Sequence, residues 1–186
     1  MFDEQSEGEQ LLAAMTAANK RSMKQAQWVG PLIAVMVGKP EEAVHIAVEA
    51  AEGRKKAAQY AAQTFEHTKR DIATTVIRLP TPTPKAAADR LRLVFAGAGK
   101  LVGTESRDDG SFAVRTIVGV GLGNQHPAVV TAVVPPVSDG GVRVALRAAA
   151  RDGQIKQHPA EKALSKITRL LRGATFVLDR PKGIQP

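Results

Sequence analysis

The feature that most constrains the fold is a two-residue alternation near the C-terminus. Five apolar residues occupy every second position of one short segment, and they are Val142, Val144, Leu146, Ala148 and Ala150. The positions that point the other way carry three arginines, namely Arg143, Arg147 and Arg151. Successive side chains of a β-strand point to opposite faces, so this pattern predicts a strand with one buried face and one polar face. A chain that contains such a strand has to build a sheet and cover one side of it.

An amphipathic helix is predicted after this strand. Residues 159–172 carry apolar side chains at the i, i+3, i+4 and i+7 spacing of a helix that buries one stripe. The stripe consists of Ala160, Ala163, Leu164, Ile167, Leu170 and Leu171. The opposite face carries Lys162, Lys166, Arg169 and Arg172. We therefore expect this final helix to close the sheet, and we expect residues 174–186 to form a loose tail with one short β-like run over residues 174–178.

The middle of the chain predicts an α+β domain over residues 72–173. A β-branched run that ends at Leu79 predicts a strand, and Thr83 followed by proline predicts the start of a helix that glycines end near residue 98. Turn residues separate further strand candidates, which lie near residues 100–106, 112–118, 128–134 and 142–150. Consecutive strands with helices at both ends indicate an antiparallel sheet of four to five strands packed on the C-terminal helix. This order is similar to a helix-grip or START-like layout, in which a curved antiparallel sheet wraps a long C-terminal helix.

Residues 1–71 are predicted to form a helical hairpin. A capping box that begins at Ser6 starts the first helix, which is expected to cover about residues 7–27 and to end near Pro31. The second arm begins at Pro40 and is rich in alanine, which favours a helix but buries little area. We therefore expect the hairpin to mediate self-association or docking onto another surface.

The charge is unevenly distributed along the chain, which has a net charge of +8. Residues 1–70 contain 9 Lys+Arg and 9 Asp+Glu, whereas residues 71–186 contain 17 and 9. The excess lies in the C-terminal part, where it would attract a polyanion. The candidate anion-binding residues are Arg143, Arg147, Arg151, Lys162, Lys166, Arg169 and Arg172. They would form one site only if the strand and the helix present them on the same side of the domain, and a solvated charged face is the alternative interpretation.

Several kinds of catalytic site find no support in the sequence. The chain has no cysteine, which excludes disulfides, thiolate metal sites and cysteine nucleophiles. The segment around Gly99 and Lys100 lacks the first glycine and the hydroxyl residue of a phosphate-binding loop. The four histidines are isolated and show no metal-ligand spacing. We expect a non-enzyme without cofactor or metal, although a Ser-His-Asp site assembled in space stays open.

The sequence also predicts where in the cell the protein is located. No apolar run approaches the ~18 residues that a membrane span requires, and the acidic opening lacks the basic region of a signal peptide. A cytoplasmic protein is therefore expected.

The sequence is compatible with two functions. The first is a non-catalytic binding or assembly module, in which the α+β domain binds a protein partner or a small apolar ligand between the sheet and the final helix and the hairpin supports homo-oligomers. Alternate glycines would leave a strand face bare for that helix or ligand. The predicted lining residues are Gly119, Gly121, Val144, Leu146, Leu164 and Ile167. The alternative is a binder of anionic surfaces, either nucleic acid or acidic lipid, that uses the basic C-terminal half.

Overall fold

The computed structural model describes residues 2–36, 40–121, 126–136, 141–152 and 157–178. It divides the chain into two compact units, of which the first comprises Met1–Glu7 and Lys69–Pro186 and the second Gly8–Thr68. The elements in chain order are α1 (Glu4–Met36), α2 (Pro40–Lys55), α3 (Ala57–His67), β1 (Lys69–Leu79), α4 (Pro84–Ala98), β2 (Lys100–Ser106), β3 (Phe112–Val120), β4 (His126–Val134), β5 (Val142–Asp152) and α5 (Pro159–Leu178).

The N-terminal region is helical, as predicted, but its helices end at other residues. Helix α1 runs through Pro31 to Met36, so the expected end near residue 31 is wrong. A proline removes one backbone hydrogen bond without always ending a helix, and no turn residue follows it before Gly38. The predicted second arm consists of two helices, α2 and α3, which are separated at Lys56.

The first unit is an α+β domain of the predicted class. Its five strands form one sheet in the order β1-β5-β4-β3-β2, and all neighbouring pairs are antiparallel. Helices α4 and α5 both contact the strands, and their buried side chains form one core with one face of the sheet. We call this the core face of the sheet and the opposite side the outer face.

Strand β5 and helix α5 confirm the two strongest sequence patterns. The apolar residues of β5 belong to the core, and so does the stripe of α5 with one exception: Leu171 is 1% exposed but Leu170 is 38% exposed. The helix continues to Leu178, so the predicted β-like run over residues 174–178 is wrong. Only the local β propensity of these residues favours a strand there. Helix α5, which packs on the sheet through its earlier residues, continues through them.

Helix α4 begins and ends close to the predicted residues. The Thr83 hydroxyl accepts a hydrogen bond of 3.2 Å from the backbone amide three residues later, which makes it an N-cap. At the other end, a Cβ on Gly99 would collide with the backbone oxygen of Ile117. The Thr116 hydroxyl donates to the Phe95 carbonyl at 3.2 Å. The glycine therefore permits the close approach that fixes the end of α4 against β3.

Among the helices that the structure describes, none combines the length and apolar character needed to cross a bilayer.

Candidate functional site

The two predicted basic rows lie on opposite sides of the sheet. Val144 and Leu146 of β5 point into the core beneath α5, so the arginines that alternate with them lie on the outer face. The four cations of the final helix lie on α5 itself, which packs on the core face. The arrangement with both rows on one side of the domain therefore does not occur.

Arg147, in the middle of the β5 row, is neutralised by carboxylates of the same chain. It is 8% exposed. Its Nη2 lies 2.8 Å from Oε1 of Glu4, and its Nε lies 3.3 Å from Oε2 of Glu7. Its guanidinium carbon also lies 5.4 Å from the centre of the Phe2 ring. A cation with these contacts is held by the fold and is not available to a ligand.

These contacts fix residues 2–7, which we call the acidic segment, on the outer face. Glu7 is 1% exposed and accepts a hydrogen bond of 2.9 Å from the Thr131 hydroxyl. Arg115, directly opposite Thr131 in the sheet, donates to the Ser6 hydroxyl at 2.7 Å. Arg147 and Arg115 thus lie on either side of Thr131, beneath the acidic segment.

Glu4 links the N-terminal segment of the first unit to strands β1 and β5. It pairs with Arg147 and also with Arg70, whose Nη1 lies 3.0 Å from Oε2 of the carboxylate. The hydrogen bond from Arg147 and then that from Arg70 hold the pKa of Glu4 below its ordinary value. A lowered pKa means that this stabilisation is present at neutral pH and is lost as the pH falls through the lowered value.

The other two arginines of the row have different surroundings. Arg143 is exposed and lies opposite Arg78 of β1. Arg151 is half-buried and lies opposite Arg70, and burial followed by the charge of Arg70 lowers its pKa. The row therefore does not act as one cationic surface.

The cations of α5 form an open site. Lys162, Lys166 and Arg169, which we call the α5 stripe, lie at i, i+4 and i+7 along one side of the helix. They line a cavity of about 610 Å³ together with Gln157, His158, Glu161 and Ser165. Among the described residues, no carboxylate lies within ion-pair distance of any of the three. Among the described residues that line the cavity, three are cationic and one is a carboxylate, hence a formal charge of 3 − 1 = +2 from these four groups. Arg172 is exposed on the same helix but does not line this cavity.

Four of the six predicted pocket residues are packed in the protein interior, and the two glycines are not. Two strand residues and two helix residues belong to the core, and they are Val144, Leu146, Leu164 and Ile167. Gly119 alternates with core residues of β3 and so lies on the outer face, away from α5. Gly121 follows that strand with a φ of 80° and lies beside His126. The expected close approach of α5 to the strand glycines therefore does not occur at Gly119.

Within the described part of the chain, no three His, Asp or Glu side chains gather in a group that could hold a metal ion.

Comparisons with known proteins add little to this geometry. No protein-family model matches the chain, and no curated protein matches it. Among solved structures, the chain is similar to the crystal structure of the di-domain ARO/CYC BexL from the BE-7585A biosynthetic pathway, with a TM-score of 0.30 and 11% sequence identity. The match covers 80% of this chain and 62% of that chain, which is less than two thirds of its length. A likeness of this size carries no argument about function.

Proposed function

We propose that the protein is a non-catalytic module that binds the phosphate backbone of nucleic acid through the α5 stripe. The observation that supports this proposal is that three cationic side chains line one open cavity and have no carboxylate partner among the residues that the structure describes. Unpaired cations keep the full attraction for an anion, because no internal ion pair has to be broken when the ligand binds.

The contrast with β5 supports the choice of α5. Arg147 is buried and held by Glu4 and Glu7, so a ligand would have to displace two carboxylates to reach it. Lys162 and Arg169 are exposed, and an anion can approach them directly. Of the candidate residues, the α5 stripe therefore makes the stronger site.

The burial of α5 favours nucleic acid over a lipid surface. A helix that binds in a membrane interface inserts its apolar face between the lipids. Over residues 160–171, the apolar face of α5 is already buried apart from Leu170, with Ile167 fully and Leu171 almost fully enclosed in the core. Residues 160–172 of α5 present mainly charged side chains to a ligand, and charge alone is enough to bind a phosphate backbone.

The scarcity of aromatic residues indicates the mode of binding. The chain contains 5 Phe, 1 Tyr and 1 Trp, and Phe95 lies in the core. Single-strand binders stack bases on exposed aromatic rings. A module with few such rings would contact phosphates, which position a nucleic acid without reading its sequence.

Removing the three charges of the α5 stripe should weaken the salt dependence of binding. We expect the full-length variant Lys162→Gln, Lys166→Gln, Arg169→Gln to bind a labelled DNA duplex of about 20 base pairs more weakly than the wild type at low salt. The slope of log Kd against log salt should fall by about 2.7, at about 0.9 per phosphate contact. Fluorescence anisotropy measures this slope between about 50 and 200 mM salt. With a slope lower by about 2.7, the affinity of the variant should change about 40-fold less over that range than the affinity of the wild type.

A matched variant separates the site from the net charge. Lys85→Gln, Arg92→Gln, Lys100→Gln also removes three charges from exposed positions of the first unit and should leave the slope near the wild-type value. Glutamine has nearly the helix propensity of lysine and arginine, and Lys100 is an exposed residue at the start of β2. Circular dichroism should therefore be unchanged in both variants. Equal slopes for the two variants, or binding to phosphatidylserine vesicles without binding to DNA, would contradict the proposal.

A further inference from the structure

The helical second unit contains a cationic cavity of its own. The cavity has a volume of about 520 Å³ and is lined by Lys20, Arg21, Lys24 and Lys55. The first three belong to α1, and Lys55 is the last residue of α2, so two helices contribute to it. All four side chains are exposed.

No carboxylate lines this cavity among the described residues, and no ion pair joins its four cations to one. Lys20 and Lys24 are four residues apart on the same side of α1, where like charges repel and weaken a helix slightly. Lys55 brings another positive charge to the same place from a different helix. An anion with several charges would relieve the repulsion among all four side chains.

The sequence alone does not indicate this cationic cavity, because the charges of residues 1–70 cancel when they are counted together. Three of the nine acids in that region precede Gly8 and therefore belong to the first unit. Two of these, Glu4 and Glu7, pair with Arg70 and Arg147 of that unit. These two carboxylates are therefore paired within the first unit. The equal numbers of acidic and basic residues over residues 1–70 do not hold within the second unit.

We propose that this cavity is a second contact for the phosphate backbone of nucleic acid, carried by the helical unit. The class of ligand rests on the proposed function of the α5 stripe. Three of the four cations are lysines, and a flexible ammonium group acts as a point charge without selecting one geometry. Such groups suit the distributed charge of a polyanion better than a single fixed phosphate ion.

The test uses the full-length variant Lys20→Gln, Arg21→Gln, Lys24→Gln with the same DNA duplex. We expect its salt slope to fall by about 2.7, and we expect the combination with the α5 variant to lower the slope by about 5.4 in total. The variant at residues 85, 92 and 100 again controls for net charge. A slope equal to that of this control variant overturns the second contact.

Two further outcomes distinguish this inference from the proposed function. If only the α1 variant changes the slope, the second contact holds and the α5 site fails; if only the α5 variant changes it, the reverse is true. Inorganic phosphate, titrated by calorimetry, should show no binding that depends on Lys20, Arg21 and Lys24. Binding of phosphate that disappears in the α1 variant would identify the cavity as a site for a small anion and overturn the inference.

Discussion

Replacing Arg147 by methionine should lower the free energy of unfolding by about 3–5 kcal/mol. Methionine keeps much of the arginine stem's volume but leaves Glu7, which is 1% exposed, without its guanidinium partner. An ionised carboxylate buried without a counter-charge is strongly destabilising. Urea denaturation followed by circular dichroism measures the loss.

Two companion variants show that the loss comes from the uncompensated charge of Glu7. Adding Glu7→Gln to the methionine variant should recover part of the stability, because the amide is neutral and can still bond with Thr131. Arg143→Met removes an arginine from the same strand and face, but at an exposed position, and should change stability by no more than ~0.5 kcal/mol. A loss below ~1 kcal/mol for Arg147→Met, or no recovery with Glu7→Gln, would show that the acidic segment is not held in this way.

The second large effect concerns the helix that covers the core face. Leu171→Ala should cost about 2–5 kcal/mol of unfolding free energy, because the side chain is 1% exposed and its removal leaves a cavity between α5 and the sheet. The same denaturation experiment measures it.

The neighbouring leucine provides an identical chemical change as a control. Leu170 is 38% exposed on the same helix, so Leu170→Ala removes the same atoms with much less loss of burial and should cost less than ~1 kcal/mol. Equal losses at the two positions would mean that α5 does not pack on the sheet through the face described.

The fold was predictable where the pattern is local. The alternation of β5 and the apolar spacing of residues 160–171 in α5 each span about ten residues. Side-chain periodicity within one element follows directly from strand and helix geometry. The N-cap at Thr83 is equally local, since its hydroxyl bonds to an amide three residues away. The end of α1 does not follow from such a local signal, because proline is typical of a helix end and yet Pro31 lies inside a helix that continues past it.

The site was predictable only in part, because its decisive contacts join residues far apart in the chain. The sequence identifies Arg147 and Lys162 as equal candidates for anion binding. It does not show that Glu4 pairs with Arg147 across 143 positions, whereas Lys162 has no such partner among the described residues. The acidic opening of the chain, set beside the arginines of β5, is the signal from which the pairing could have been inferred.

Acetylation of lysines in the wild-type protein shows whether cations without carboxylate partners among the described residues contact the nucleic acid. Mass spectrometry would compare the modification of each lysine with and without a saturating DNA duplex. We expect strong protection of Lys162 and Lys166, protection also of the lysines of the helical cavity, and unchanged reactivity at Lys85 and Lys100. Unchanged reactivity at Lys162 and Lys166, or equal protection of every lysine, would contradict it.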